Sequence, residues 1–394
     1  MGQQGKNRVL LVGENAAFDR VKSGADQSFS RWDPVFARSL EEAVSHLSDG
    51  DFRAVVAAQL VGEANGELVL QEVDARWPQL ARLTLTSEPF ARPVWSTLAA
   101  VQAVPDECGP AQLEASIQRS ANVHAIVSNP TTAALAGHVE SLPTLPAVYR
   151  DLVSVASQKD VSAATVASAL QRDPALCLKV LQVVNSLTFG LRRRISSVQQ
   201  AAAYLGVELI KGIVVTAEIF KTAERNDVEG FSLGRFQDYS LKIATLASEF
   251  AATRGLGEEA FSAGLLHDVG KLVLSLKRET DFTNVLLRVA ATGEDAESVE
   301  REVLGVSHSD VGAHLLWSWG IPYPIVECVA MHHATELAGD HPSDLVAIVH
   351  AAEALYSIYA CGEREATLDV ALLERAGMLE ELDGWRQRVI ESIS

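Results

Sequence analysis

Histidine and aspartate stand side by side at residues 267 and 268, at the end of a predicted helix, and further histidines follow at 308, 332 and 333. Such a His-Asp pair, joined by imidazoles and a carboxylate from other helices, can hold one or two divalent metal ions. Bound metals would lower the pKa of a coordinated water and clamp phosphate oxygens, which is the chemistry of hydrolysis. The alternative is a polar core in which His267 and Asp268 hydrogen-bond each other, because buried polar groups need partners.

The composition limits the classes of partner. The chain has 394 residues, and 51 acidic against 33 basic residues give it a net charge of -18. At roughly 100 to 200 residues per domain, this length predicts two or three domains. A negative field of this size repels nucleic acid and acidic lipid, so we expect neither as a partner.

The cysteines and the N-terminus indicate a cellular compartment. The four cysteines lie far apart, and the opening MGQQGKN lacks the apolar core of a signal peptide. The longest apolar runs are shorter than the roughly 20 residues that a membrane-spanning helix requires. The sequence therefore predicts a soluble protein of the cytoplasm with free thiols.

The histidines must be positioned by elements that the hydrophobic pattern predicts. Residues 1–125 alternate short apolar runs with amphipathic segments, as when strands feed crossover helices in a parallel sheet. Five strands are predicted, over residues 8–12, 34–37, 54–58, 82–86 and 100–104. Ser39, with Glu42 three residues later, predicts a helix start by the capping-box pattern. We expect a doubly wound α/β domain here.

The rest of the chain has a different pattern. Residues 126–137 are small and polar around Asn129-Pro130 and are predicted to form a linker, or else the frayed end of the last helix of the first domain. Helical periodicity then dominates residues 138–394, which indicates an all-α domain with a C-terminal helical extension. Ser197 with Gln200 predicts another capped helix start, and Gly206 predicts where that helix ends.

Within the helical part, a series of short motifs resembles the HDOD family, a helical output domain of bacterial signalling proteins related to the HD phosphohydrolases. The motifs are LPTLP at 142–146, DPAL at 173–176, Asn185-Ser186, Leu205-Gly206 and GLLHDVGK at 264–271. The resemblance continues through His308, Gly312, Trp319, Pro322 and His332-His333 and covers about half of the chain.

The resemblance to HD proteins also implies a ligand set and a defect in it. The candidate metal ligands are His267, Asp268, His308, His332, His333 and Glu353. Where the HD pattern has its first histidine, this chain has Tyr239, and a neutral phenol is a poor donor for a divalent ion. The residues after His333 lack the Gly-Tyr-Pro signature of the HD-GYP enzymes. We expect no cofactor, and the ligand set leaves Mg, Mn or Fe open.

The N-terminal domain resembles a response-regulator receiver that has lost its phosphorylation chemistry. Only Glu14 supplies an acid after the first strand, Gln59 stands near the position of the phosphoacceptor Asp, and no lysine precedes Pro105. A working receiver needs these groups because Mg²⁺ and lysine neutralise the phosphoryl oxygens while the carboxylate attacks. We therefore predict a degenerate receiver with no phosphoacceptor, and leave open a noncanonical one such as Asp51 or Glu14.

The resemblances imply a bacterial signal-transduction protein with no catalytic residues. Its HDOD module would be a non-catalytic output and interaction module, regulated or tethered by the degenerate receiver within a two-component or cyclic-dinucleotide circuit. Its partners would be other signalling proteins, and a homodimer stays open. The competing hypothesis is a metal-dependent HD-type phosphohydrolase that acts on a nucleotide or phosphodiester through the six candidate ligands.

Overall fold

The structure is a computed structural model, and it describes residues 6–24, 29–61, 64–87, 101–136, 163–170, 180, 197–206, 210, 213–214, 228–362 and 368–393. Two compact units can be separated. The first contains Met1–Ser128, and the second contains most of the chain from Asn129 onward. The domain limits predicted from the sequence stay a prediction.

The first unit is built on a parallel five-stranded sheet, as predicted. Its strands are β1 (Asn7–Val12), β2 (Trp32–Ala37), β3 (Ala54–Ala57), β4 (Ala81–Thr86) and β5 (Gln102–Pro105). They lie in the order β2-β1-β3-β4-β5, with every neighbouring pair parallel. A hairpin of two-residue strands, Leu60–Val61 and Ala64–Asn65, follows β3.

Helices cover both faces of this sheet, which makes it doubly wound. The described helices are α1 (Ala16–Ser23), α2 (Leu40–Asp49), α3 (Gly66–Arg76) and α4 (Pro110–Val127). One apolar cluster joins the sheet to Phe18 of α1 and to Leu113 and Ile117 of α4. The cluster on the opposite face contains Leu47 of α2 and Leu70 of α3. Because both faces are covered, the middle strand β3 is apolar and buried along its whole length.

The second unit is helical in its described part. Its first helices are α5 (Pro130–Ala136), α6 (Ala163–Leu170), α7 (Val198–Leu205), α8 (Leu233–Phe250) and α9 (Gly257–Leu266). They are followed by α10 (Val269–Lys277), α11 (Glu279–Thr292), α12 (Ala296–Leu304), α13 (His308–Ser318) and α14 (Tyr323–Met331). The last are α15 (Asp344–Tyr356), which continues as a π-helical turn over Ser357–Cys361, then α16 (Val370–Arg375) and α17 (Leu382–Ile393).

The predicted helix ends agree with the structure where it describes them. Ser39 caps α2 and Ser197 caps α7, each accepting a hydrogen bond from the N–H three residues later. Gly206 ends α7 at a φ of 80°, a backbone angle that favours glycine. The motifs at 142–146, 173–176 and 185–186 lie outside the described residues.

Within the segment predicted as a linker or a frayed helix end, the described residues 126–136 are mostly helical. The helix α4 runs to Val127 and α5 begins at Pro130. Asn129 accepts a hydrogen bond from the N–H of Thr131 at 2.8 Å, and Pro130 follows it at the first helical position. The Asn-Pro pair therefore starts a new helix rather than marking an extended linker.

The helix α15 is the core helix of the second unit. All of its residues from Leu345 to Leu355 are buried. The segment Asp344–Cys361 is long and apolar enough to cross a membrane, but 67% of it is buried inside the protein. Its apolar character is therefore explained by packing within the unit, and it carries Glu353 into the interior.

Candidate metal centre

The first candidate ligands lie at the junction between two helices. His267 is the residue at which α9 ends, and Asp268 precedes α10. The Nδ1–H of His267 donates to the carbonyl oxygen of Gly264 at 2.7 Å, one of the carbonyls that a helix end leaves without a helical partner. Because a carbonyl only accepts, the proton lies on Nδ1, and Nε2 faces the centre.

His308 begins α13 and is fixed by a buried carboxylate. One oxygen of Glu300, on α12, lies 2.7 Å from both the backbone N–H and the Nδ1 of His308, and both groups donate to it. Glu300 is only 1% exposed. A second ring hydrogen bond of this kind orients metal-binding histidines. The Nε2 of His308 thus faces Asp268, 3.1 Å from its Oδ1.

The remaining ligands come from the end of α14 and from α15. His332 follows α14, and its Nδ1–H donates to the carbonyl oxygen of Val329 at 2.9 Å. His333 is the most exposed of the six candidates, with 32% of its side chain accessible. The carboxylate of Glu353 lies 3.6 Å from His267 Nε2 and 3.7 Å from His333 Nε2.

The structure thus brings all six predicted ligands together, in two sets that share one carboxylate. In the first set, which we call the four-donor set, ligand atoms of Asp268, His308, His332 and His333 all lie within 4.8 Å of one another. The second, the three-donor set, groups His267, Asp268 and Glu353 in the same way. Imidazole and carboxylate donors suit zinc, manganese and iron.

Several of these atoms have charged neighbours 3.1 to 3.7 Å away but form no well-aligned hydrogen bond. They are the Nε2 atoms of His267, His308 and His332 and the Oδ1 of Asp268. These four side chains are at most 2% exposed. A buried polar atom without a partner is costly, and a bound ion is one of its ordinary explanations. His267 Nε2 lies 3.4 Å from Asp268 Oδ2, an ion-pair distance without the alignment of a good hydrogen bond. The donors therefore fit a metal better than the self-satisfied polar core considered from the sequence.

The charges in the cluster also suit a cation. Burial opposes a proton on His267, but Asp268 and Glu353 outweigh it and raise the pKa of this imidazole to about 10. Burial likewise opposes a proton on His308, but Glu300 and Asp268 raise its pKa to about 10. A divalent ion would meet the same negative field and would displace these protons.

Tyr239 lies beside the three-donor set but does not complete it. Its ring centroid is 6.0 Å from that of His267, while its hydroxyl lies 2.9 Å from the Oγ of Ser357. Burial, with Glu353 and Asp268 nearby, raises the pKa of Tyr239 well above its ordinary value. The phenol therefore stays neutral, and its oxygen is engaged away from the imidazole.

Three residues of the centre were not singled out as site residues from the sequence. Lys271 Nζ forms an ion pair with Asp268 Oδ2 at 2.6 Å, and Ser357 engages Tyr239. Glu300 was the least expected, although a signal was present. It lies one helical turn before the buried Leu304, on a face of α12 where an acid needs a partner in the interior.

The receiver-like unit shows no comparable arrangement among the residues described at the ends of its strands. Glu14 and Gln59, after β1 and β3, are exposed. The side chain of Asn15 accepts from the N–H of Ala17 at 2.8 Å and caps α1. Pro105 closes β5 without a preceding lysine.

A parallel-sheet unit followed by a helical unit with a junctional His-Asp pair defines a receiver-like domain joined to a helical domain of the HD type. The family comparison agrees with this class. Residues 142–335 match the HDOD domain family. The chain contains an HDOD domain, as the sequence motifs predicted.

Bacterial relatives match only parts of the chain. An uncharacterized protein from Treponema pallidum is 21% identical over 222 residues, which are 55% of this chain and 42% of that protein. Ribonuclease Y from Thermus thermophilus is 32% identical over 145 residues, which are 36% of this chain and 20% of that enzyme. The chain thus spans less than half of the length of either protein.

Solved structures support the fold. A candidate phosphohydrolase from Shewanella amazonensis SB2B is 26% identical with a TM-score of 0.54, covering 66% of this chain and 94% of that one. An HDOD domain protein from Geobacter sulfurreducens is 25% identical with a TM-score of 0.54, over 66% and 93% of the two chains. A candidate signal transduction protein from Marinobacter aquaeolei VT8, 17% identical with a TM-score of 0.52 over 87% and 77%, shares the fold.

Proposed function

We propose that the chain is a cytoplasmic signal-transduction protein whose HDOD domain binds one divalent metal ion and works by contact with other signalling proteins, without turnover. The receiver-like domain regulates or tethers it. The observation that carries this proposal is the hydrogen bond between Tyr239 and Ser357, which engages the phenol beside the three-donor set. The four-donor set can therefore coordinate one ion, whereas the three-donor set lacks a ligand for a second.

The four-donor set supports the binding of a single ion. Asp268, His308, His332 and His333 would hold it through one carboxylate oxygen and three imidazole nitrogens. A bound metal supplies Lewis acidity and lowers the pKa of coordinated water. Catalytic metals keep an open position for substrate, whereas Asp268, His308 and His332 are nearly fully buried. The burial of these three donors favours a structural ion.

The receiver-like unit supports regulation by contact. Asn15 is committed to capping α1, and exposed Gln59 stands where a phosphoacceptor would be expected. An amide is not a nucleophile for phosphoryl transfer, and an acid pair to hold Mg²⁺ is missing from the described ends of β1 and β3. We infer that this unit transmits its signal through a surface and does so without phosphorylation.

The second candidate function is metal-dependent hydrolysis of a nucleotide or phosphodiester. The unpartnered Nε2 of His267 favours it, because this atom lies outside the four-donor set and points toward Glu353. The likeness to a candidate phosphohydrolase, and the partial match to Ribonuclease Y, give this hypothesis further support. It requires the three-donor set to hold an ion without a ligand from Tyr239.

One experiment separates the two functions. The purified full-length protein is loaded with Mn²⁺, the bound metal is counted by elemental analysis, and hydrolysis of bis(p-nitrophenyl) phosphate, cyclic di-GMP and an RNA oligonucleotide is followed. Asp268→Asn serves as the matched control. We expect one ion per chain, lost in Asp268→Asn, and no hydrolysis above that control. Two ions per chain, with turnover that Asp268→Asn abolishes, would replace the proposal with the hydrolase.

A further inference from the structure

His350 joins the candidate metal centre to the C-terminal part of the chain. Its Nδ1–H donates to the backbone oxygen of His332 at 2.8 Å, and its Nε2 accepts the backbone N–H of Asp369 at 2.9 Å. The side chain is 5% exposed. Since one ring nitrogen donates and the other accepts, the imidazole is neutral with its proton on Nδ1, and both of its hydrogen-bonding positions are used.

Asp369 is itself held in place by several contacts. Its Oδ2 accepts from the hydroxyl of Thr335 at 2.7 Å, and its Oδ1 accepts from the N–H of Leu372 at 3.0 Å, which caps α16. Arg375, in the last turn of the same helix, lies 3.8 Å from Oδ2 and donates to the backbone oxygen of Thr335 at 3.4 Å. The start of α16 is therefore tied to the loop that follows the two adjacent histidines.

These contacts fall on either side of His333, at the backbone oxygen of His332 and at Thr335. His350 holds the backbone oxygen of His332, while Asp369 and Arg375 hold Thr335, two residues after His333. The two donors are consecutive residues, so one shift of this backbone moves both. Metal–ligand distances must be met within about 0.2 Å, and so a small displacement costs affinity. Neither His350 nor Asp369 lies within the family match, which ends at residue 335.

We propose that His350 and Asp369 are positioning residues for the candidate metal centre, through which the C-terminal segment 368–375 fixes the backbone that carries His332 and His333. This inference rests on the proposed binding of a divalent ion. It assigns a role to residues beyond the HDOD match, and it makes the affinity for metal depend on whether α16 is docked. A partner that displaced α16 would thereby weaken the metal site.

The first test measures affinity for Mn²⁺ in the full-length protein, with free Mn²⁺ counted by electron paramagnetic resonance. The variants are His350→Phe, which removes both ring hydrogen bonds at similar volume, and Asp369→Ala. Loss of the groups that hydrogen-bond metal ligands typically weakens metal binding by about 10–100-fold, and we expect each of the two variants to lose affinity for Mn²⁺ by this factor. Asp383→Ala, whose side chain is 94% exposed, is the control and keeps the wild-type affinity. Unchanged affinity in both folded variants would overturn the proposal.

The second test does not need metal. Hydrogen exchange of the metal-free protein, followed by mass spectrometry, reports on the backbone at residues 331–335. We expect exchange there to rise by about tenfold in His350→Phe and Asp369→Ala, while α8 and α10 stay as in the wild type. If the wild type binds no Mn²⁺, the proposed function fails, and the hydrogen-exchange result alone decides whether His350 and Asp369 position this backbone. Unchanged exchange at residues 331–335 in both variants would overturn the positioning role.

A milder variant covers the case in which a substitution prevents folding. Thr335→Val removes only the hydrogen bond to Asp369 and keeps the side-chain shape. Loss of one such bond corresponds to roughly a three- to tenfold effect. We expect a loss of Mn²⁺ affinity and a rise in exchange within that range, and no change in either would again overturn the proposal.

Discussion

The hydroxyl of Tyr239, on α8, hydrogen-bonds the Oγ of Ser357, at the start of the π-helical turn after α15, at 2.9 Å. These two residues face each other beside the three-donor set. π-helical turns are rare and concentrate at functional sites. The phenol is half-buried, and its pKa lies well above its ordinary value, so it stays protonated. The four-donor set is therefore complete, whereas the three-donor set gains no ligand from Tyr239.

Replacement of the phenol should rebuild the incomplete set. In Tyr239→His, an imidazole on α8 would join His267, Asp268 and Glu353, and we expect bound Mn²⁺ to rise from one ion to two per chain. Tyr239→Phe is the matched control, because it removes the hydroxyl without adding a donor. It should keep one ion and lose about 0.5–1.5 kcal/mol of stability. Elemental analysis of both variants checks this, and equal metal content would contradict it.

The carboxylate of Glu300 should govern how tightly the metal is held. In Glu300→Gln the amide oxygen can no longer accept from the N–H and the Nδ1–H of His308 as strongly as a carboxylate. We expect affinity for Mn²⁺ to fall by about 10–100-fold. Glu302→Gln, on the same helix with an exposed side chain, is the control. Equal dissociation constants for the two variants would show that Glu300 plays no part in binding.

Gly270, two residues after Asp268, allows two helices to touch. A Cβ at this position would lie 1.9 Å from the backbone oxygen of His308. We expect Gly270→Ala to destabilise the helical unit by about 3 kcal/mol and to weaken metal binding, since α13 must move. Gly384→Ala on α17 meets nothing within 4 Å and should stabilise by about 0.5–1 kcal/mol. Urea midpoints test both, and a tolerated Gly270→Ala would refute the close packing.

The receiver-like unit should lose stability in mild acid through His124. Its Nε2–H donates to the backbone oxygen of Pro78 at 2.9 Å, and burial lowers the pKa of His124 from its ordinary value of 6.5. The unfolded chain therefore binds the proton more readily. The stabilisation is complete above pH 6.5 and is lost progressively as the pH falls below it.

Hydrogen exchange of α4, corrected for the intrinsic effect of pH, measures this loss. Protection in the wild type should decrease as the pH falls from about 7.5 to about 5.5. His124→Gln keeps an N–H donor but does not titrate, so its protection should change less over the same interval. Parallel pH profiles for the two proteins would rule out His124 as the cause.

Much of the fold follows from local sequence patterns. The predicted strands at 8–12, 54–58 and 82–86 differ from β1, β3 and β4 by one residue at an end, because short runs rich in apolar residues are typical of strands in a covered parallel sheet. The helix caps at Ser39 and Ser197 were likewise predictable from the local sequence. The segment around Asn129-Pro130 was the exception, since the same residue types start a helix or a loop.

The candidate site was predictable as a set of residues but not as an arrangement. Motif spacing marked His267 and Asp268, while the resemblance supplied the other ligands. The division into two donor sets depends on how the ends of α9 and α14 and the start of α13 meet, which no local pattern encodes. The contacts of Glu300 and Asp369 are similarly long-range, and the direction of the Tyr239 hydroxyl is set by a π-helical turn 118 residues away.

The number and position of bound ions test the central claim most directly. Crystals of the full-length protein grown with Mn²⁺ are to be examined by anomalous diffraction at the manganese edge. We expect a single peak bounded by Asp268, His308, His332 and His333. A second peak between His267 and Glu353, or no peak at the four-donor set, would contradict it.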